Sequence, residues 1–113
     1  MVSLLGGFVP YTHTVKKGNP VKHLAQLEDG GDGARWAAAV DVEPGCRVEK
    51  VSKRIQTDDG RVVVLTAFIT WPGSVVCKPG DKVMVDGDER LVEVVDELVW
   101  FDGTVMHREV WTQ

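Results

Sequence analysis

The chain has 113 residues, 43% of them hydrophobic and 27% charged, and a formal net charge of −4. That composition is globular and leaves room for a single core, which excludes two independent domains and a disordered tail. The acidic balance argues against a surface that grips phosphate backbones, and no apolar run approaches the ~20 residues of a membrane helix.

The first ten residues lack the basic start of a secretory signal. From Tyr11 to Lys16, large or apolar residues alternate with polar ones, the period of a half-buried strand. Gly18, Asn19 and Pro20 break it, and residues 21–26 are long enough for one helical turn. Residues 27–35 follow as an acidic, glycine-rich loop containing Leu27, Glu28, Asp29, Gly30, Gly31, Asp32 and Gly33. Such a segment has little to bury and much backbone freedom. A strand is predicted over 36–42, ended by Pro44 and Gly45.

The stretch 46–57 fits two templates. Val48, Val51 and Ile55 have helical spacing. A strand also fits if a bulge near Lys50 puts Val51, Lys53, Ile55 and Thr57 on one face. The tight-turn residues Asp58, Asp59 and Gly60, followed by the β-forming run 61–71, favour a long hairpin over about 46–71, with Arg61 at its tip. Turns are predicted at 78–81, at Asp86–Gly87–Asp88 and at Phe101–Asp102–Gly103. They separate strands over 82–86, 89–98 and 104–111. The whole reads as one all-β domain, residues 1–113, a small six- to seven-stranded β-barrel with flexible loops.

Chemistry is sparse. The three histidines stand apart, without metal-ligand spacing. Cys46 and Cys77 are too few for a disulfide framework and suit small, reduced core residues. No ligand spacing in the sequence links them with His107 as a metal site. The acidic segments lack the alternating ligands of a calcium loop, and no phosphate loop occurs. No enzyme activity, cofactor or metal is therefore expected. Charge is unevenly distributed. Residues 46–61 carry Arg47, Lys50, Lys53, Arg54 and Arg61 against three acids, whereas nine acids oppose three bases from Asp81 onward. Segments of opposite sign can meet head to tail between copies. Phe68 and Ile69 are adjacent on a strand, so one points inward and the other outward. With Trp71 and Trp111 they give apolar candidates for an interface, beside the basic Arg47, Lys50 and Arg54. The four tryptophans fit core or barrel-end packing.

Several segments together resemble the head-closure, or stopper, proteins of the tailed-bacteriophage head-to-tail connector. They are Tyr11–Thr12–His13–Thr14–Val15, Pro44–Gly45–Cys46, Asp59–Gly60–Arg61–Val62 and the run from Ala67 to Pro72. Pro79–Gly80–Asp81–Lys82–Val83, Asp86–Gly87, residues 92–95 and residues 102–110 complete them. The resemblance implies a β-barrel that forms a sixfold or twelvefold ring in the virion neck, made in the host bacterial cytoplasm. The ring's partners would be further copies of itself, the portal and adaptor proteins, and the tail terminator or tail tube. Phage DNA would pass through its lumen without sequence-specific binding, and no membrane is involved. A loop reaching into the lumen would be the plug, with 27–35 favoured over the hairpin tip 56–61. The alternatives are a tail terminator or other small tail-assembly protein, or a generic β-barrel binding module.

Overall fold

A computed structural model describes residues 11–27 and 35–113. Seven strands follow one another: β1 (Lys22–Leu24), β2 (Val40–Asp41), β3 (Arg47–Gln56), β4 (Val62–Pro72), β5 (Lys82–Val85), β6 (Asp88–Val99) and β7 (Val105–Thr112). They form one antiparallel sheet in the order β2-β1-β5-β6-β7-β4-β3. Laid flat, its two edge strands would lie about 29 Å apart, six spacings of ~4.8 Å. Yet the chain passes from β2 to β3 through residues 42–46 alone, a reach of about 21 Å at most. The sheet must therefore curl until its edges approach. β2 and β3 do not pair, so the expected barrel is an open, curled sheet.

The long strand β4 shows why the curl holds. Val63, Leu65, Ala67, Ile69 and Trp71 are buried, while Val62, Val64 and Thr66 alternate outward. This is the period-two pattern of a sheet with one face on a core. Inside, Ile69 and Trp71 meet Val21, Val42, Val83, Val92 and Val110, drawn from both ends of the strand order. Trp71 is fully buried. Its Nε1 donates to the Val75 carbonyl at 3.0 Å, and its ring meets His23 edge-on at 5.5 Å. Arg108 is also buried. Its Nη1 donates to the carbonyls of Gly73 at 2.7 Å and Val75 at 2.6 Å, and its Nη2 lies 3.0 Å from Glu97. A buried guanidinium needs such partners.

The long hairpin is present, with its bulge between Lys50 and Lys53. Asp86 and Gly87, both at positive φ, make the two-residue turn between β5 and β6, the geometry that an Asp-Gly pair favours. Three local expectations are corrected. Residues 11–16 form no strand: His13 makes one backbone bridge to Cys46. The chain then turns, with Thr14 N donating to Asn19 Oδ1 and Lys17 N to Thr14 Oγ1. Side chains that hydrogen-bond the local backbone compete with sheet pairing. Residues 22–24 are strand β1 rather than a helical turn, because β2 and β5 pair on either side of them. A single isolated turn of helix has no comparable support. The strand expected over 36–42 shrinks to a bridge at Trp36 and the two residues of β2. The intervening Ala37, Ala38 and Ala39 offer a sheet little to pack.

Candidate interaction site

Two hairpin arms leave the curled sheet at opposite ends. β4 pairs with β7 from Ala67↔Thr112 to Pro72↔His107. The β3–β4 arm therefore extends beyond the end of β7, and the β6–β7 arm beyond the end of β4.

The β6–β7 arm is closed by Trp100 N donating to Thr104 O at 2.7 Å and Gly103 N to Trp100 O at 2.9 Å. Thr104 N donates to Asp102 Oδ1 at 2.9 Å. These bonds from Thr104 hold the Asp102 carboxyl below its ordinary range. Phe101 is 92% exposed and Trp100 49%. The two rings stack on each other, with centroids 5.4 Å apart. Leu98, Val99 and Met106 are exposed beside them. The charges on this arm are Asp96, Asp102 and Glu109, with Glu97 paired to Arg108. Sequence reading identified the turn but not this apolar tip; Trp100 and Phe101 side by side next to a Gly turn were the available signal.

The β3–β4 arm ends differently. Thr57 N donates to Arg61 O at 2.8 Å and Gly60 N to Thr57 O at 2.9 Å. The Thr57 hydroxyl donates to Asp59, whose other oxygen accepts from Arg61 Nε at 3.1 Å. The Thr57 bond first, then those from Arg61, lower the Asp59 carboxyl from its ordinary value. Behind this tip, residues 62–66 of β4 pair with β3 alone. Among the described residues, nothing hydrogen-bonds their other edge as a strand. Val62, Val64 and the basic Arg61 line a shallow groove there with Gln113. Arg90 spans the fork between β4 and β6, its Nη1 donating to Thr66 Oγ1 at 2.6 Å and Gln113 O at 3.2 Å. The buried Nε of Arg90 has no partner among the described residues. On β6, β5 pairs only as far as Leu91, so among the described residues 94–99 are strand-bonded to β7 alone.

The candidate interface residues separate. Ile69 and Trp71 are fully buried and belong to the core, because β4 turns its odd-numbered residues inward. Phe68 is the outward member, half covered by Trp111 with ring centroids 4.5 Å apart. Lys53 Nζ sits 4.7 Å over the Trp111 ring, a cation–π contact. Lys50 and Arg54 are exposed on the edge strand β3, and Arg47 pairs loosely with Glu49 at 3.6 Å. The hairpin-tip residues Asp58, Asp59, Gly60 and Arg61 are exposed. Of the acidic loop, Glu28, Asp29, Gly30, Gly31, Asp32 and Gly33 lie outside the described residues. Leu27 marks its base, where Leu27 N donates to Arg35 O at 2.8 Å.

Cys46 and Cys77 are free and buried. Burial pushes both thiols up to about 12, helped by Cys77 at Cys46 and by Asp81 at Cys77. The residues that cluster with Cys77 are His23 and Asp81, with ligand atoms within 4.8 Å; His107 instead pairs with Pro72 and Leu98 on the sheet. Asp81 is already satisfied: its oxygens accept from Gln26 N at 2.8 Å, Lys78 N at 3.0 Å and His23 Nε2 at 2.7 Å. That pattern ties β1 to the 78–81 turn.

No protein-family model matches the sequence, and no curated protein is similar to it. Among solved structures, the fold is similar to that of the phage-like element PBSX protein xkdH from Bacillus subtilis. The TM-score is 0.53 at 13% sequence identity, covering 83% of this chain and 90% of that one. At that identity the likeness is one of fold.

Proposed function

We propose that this chain is a structural protein of a tailed-phage particle, and specifically a head-closure protein of the neck. The observation that carries the reading is the fold it shares, over most of its length, with a protein of a phage-like element. The surface agrees with an assembly part. Among the described residues, the edge strands β2 and β3 and the overhanging part of β4 keep unpaired backbone edges, and an aromatic pair stands largely exposed at an arm tip, as expected of surfaces that await a partner. In this reading copies form a sixfold or twelvefold ring between the portal–adaptor complex and the tail. The ring closes the DNA channel and then lets DNA pass. A net charge of −4 per copy keeps the lumen from holding DNA. In this reading the free protein is monomeric at micromolar concentration and closes its ring on an adaptor ring already in place.

The test is immunogold labelling of virions from cells producing the protein. Gold confined to the head–tail junction is expected. Gold along the tube would replace this reading with a tail-assembly protein, and unlabelled particles would overturn both.

A further inference from the structure

Away from the arms, three side chains of different chemistry meet where β1 faces the segment leading into β5. His23, Cys77 and Asp81 bring an imidazole nitrogen, a thiol sulfur and a carboxylate oxygen within 4.8 Å of one another. Each comes from backbone that is anchored separately. His23 lies in β1, paired with Val40 on one side and Val83 on the other. Asp81 closes the 78–81 turn, its N donating to Lys78 O at 3.1 Å. Cys77 precedes that turn and belongs to the same buried cluster as Trp71, whose ring meets His23 edge-on.

We propose that His23, Cys77 and Asp81 bind a zinc ion, a structural site that fastens β1 to residues 77–81. Sulfur and nitrogen beside a single carboxylate suit Zn2+, whereas Ca2+ and Mg2+ take oxygen ligands. Bonds of ~2.0–2.3 Å in a tetrahedral site place ligand atoms about 3.3–3.8 Å apart, so the three groups need only small shifts to close on an ion. Charge points the same way. Asp81 is 5% exposed, and among the described residues its ion-pair partner is His23 at 2.7 Å rather than a lysine or arginine. Buried charges are ordinarily paired or bound to a metal. On binding, Cys77 gives its proton to solvent and bonds the ion as a thiolate. Thiolate and carboxylate together then balance the two positive charges. Arg108, whose charge is felt at Cys77, is balanced separately by Glu97. His23 binds through Nε2 as the neutral ring, exchanging its hydrogen bond to Asp81 for the ion. Asp81 keeps the bonds from Gln26 N at 2.8 Å and Lys78 N at 3.0 Å, which orient it as supporting hydrogen bonds orient metal ligands generally. The fourth position is left to water. The His23 side chain, 14% exposed, marks the side from which an ion enters.

The site is tested on the purified chain, independently of where virions carry it. Treatment with a chelator leaves Cys77 as a protonated thiol, and the protein is then titrated with Co2+ at pH 8. A sulfur-to-cobalt charge-transfer band with the visible bands of tetrahedral cobalt is expected, saturating at one ion per chain and bleached by Zn2+. Binding should release one proton, from Cys77. Zn2+ should raise the urea midpoint of the parent, as a ligand of the native state does, and Ca2+ and Mg2+ should not. Cys77→Ser and His23→Gln should each weaken Co2+ binding by at least the ~10–100-fold that loss of a supporting residue costs. Cys46, the other buried thiol, lies outside the set, and Cys46→Ala should keep the band. Circular dichroism checks the fold of each variant. The parent titration and its proton count decide the matter even where a variant does not fold. No charge-transfer band in the parent under a large excess of Co2+ would overturn the site. So would a band that persists in folded Cys77→Ser, or one that disappears in folded Cys46→Ala.

Discussion

The two arms are built alike and finished differently. Both are antiparallel hairpins that close on a glycine at positive φ, Gly60 in one and Gly103 in the other. Both place a carboxylate where it accepts the turn's hydrogen bonds. At the β3–β4 tip the charges answer each other, Arg61 to Asp59, and the surface is polar. At the β6–β7 tip Asp102 is bonded locally, but the rings of Trp100 and Phe101 lie against each other and stay largely exposed. One tip is complete within the monomer. The other carries apolar surface in excess of what its own fold can cover, and such surface marks contact sites.

The contrast breaks most severely at the roots, where both arms join one core. Trp71→Ala, in the core that both arms share, should lower unfolding free energy by about 3–5 kcal/mol, the usual loss for a buried tryptophan. Equilibrium denaturation with urea measures it. Gly73→Ala should cost about 1–3 kcal/mol, because a Cβ there would meet the carbonyl oxygens of Val105 and Met106, at the base of the β6–β7 arm. A Gly73→Ala protein as stable as its parent would show that this base yields readily.

A pH titration sharpens the distinction between root and tip. The folded state holds both thiols protonated up to about 12, while the unfolded chain releases them near 9. The unfolded state thus binds fewer protons between those limits, and stability falls as pH rises through that window. The slope is of the order of 1 kcal/mol per pH unit. A Cys46→Ala, Cys77→Ala double variant should lose that slope, read from denaturation midpoints at pH 8 and pH 10.

At the tips the two arms should part company. Gly60→Ala and Gly103→Ala each force a side chain into the left-handed region, with nothing nearby to clash, and should cost about 1–2 kcal/mol. Joint replacement of Trp100 and Phe101 by serine should change stability by no more than about 0.5 kcal/mol and yet weaken assembly on heads that lack the protein. Equal losses of stability from these serines and from Gly60→Ala would mean the aromatic pair is part of the monomer's fold after all.

The long hairpins were legible in the sequence because their signals are local. Asp58, Asp59 and Gly60 fix one turn and Asp86 and Gly87 another, and β4 alternates without interruption between faces. Even the bulge after Lys50 follows from the mismatch between Val48 and the set Val51, Lys53, Ile55. The short strands were not legible, because β1 and β2 are made by their neighbours: three residues become a strand only when β5 and β2 pair beside them. The interaction surface was half visible. Opposite charge on residues 46–61 and 81–113 is a fact of composition. Which edges are left unpaired depends on where β7 and β5 stop, and no residue type announces that. For the same reason Ile69 and Trp71 look like surface candidates in the sequence and prove to be core.

The strand order also has a kinetic consequence. Each arm joins neighbours in sequence and can zip in microseconds. The pairing of β4 with β7 must instead bring together residues such as Ala67 and Thr112, and that of β1 with β5 residues such as Lys22 and Met84. Closing loops of that length is slow relative to forming a hairpin. The chain should therefore fold on a scale of milliseconds to seconds, with the arms formed early and their docking along β4 and β7 as the barrier. Side chains at that seam, Ile69 and Val110 above all, should slow folding when shortened. Serine at Trp100 and Phe101, which should barely change stability, should leave both rates near those of the parent.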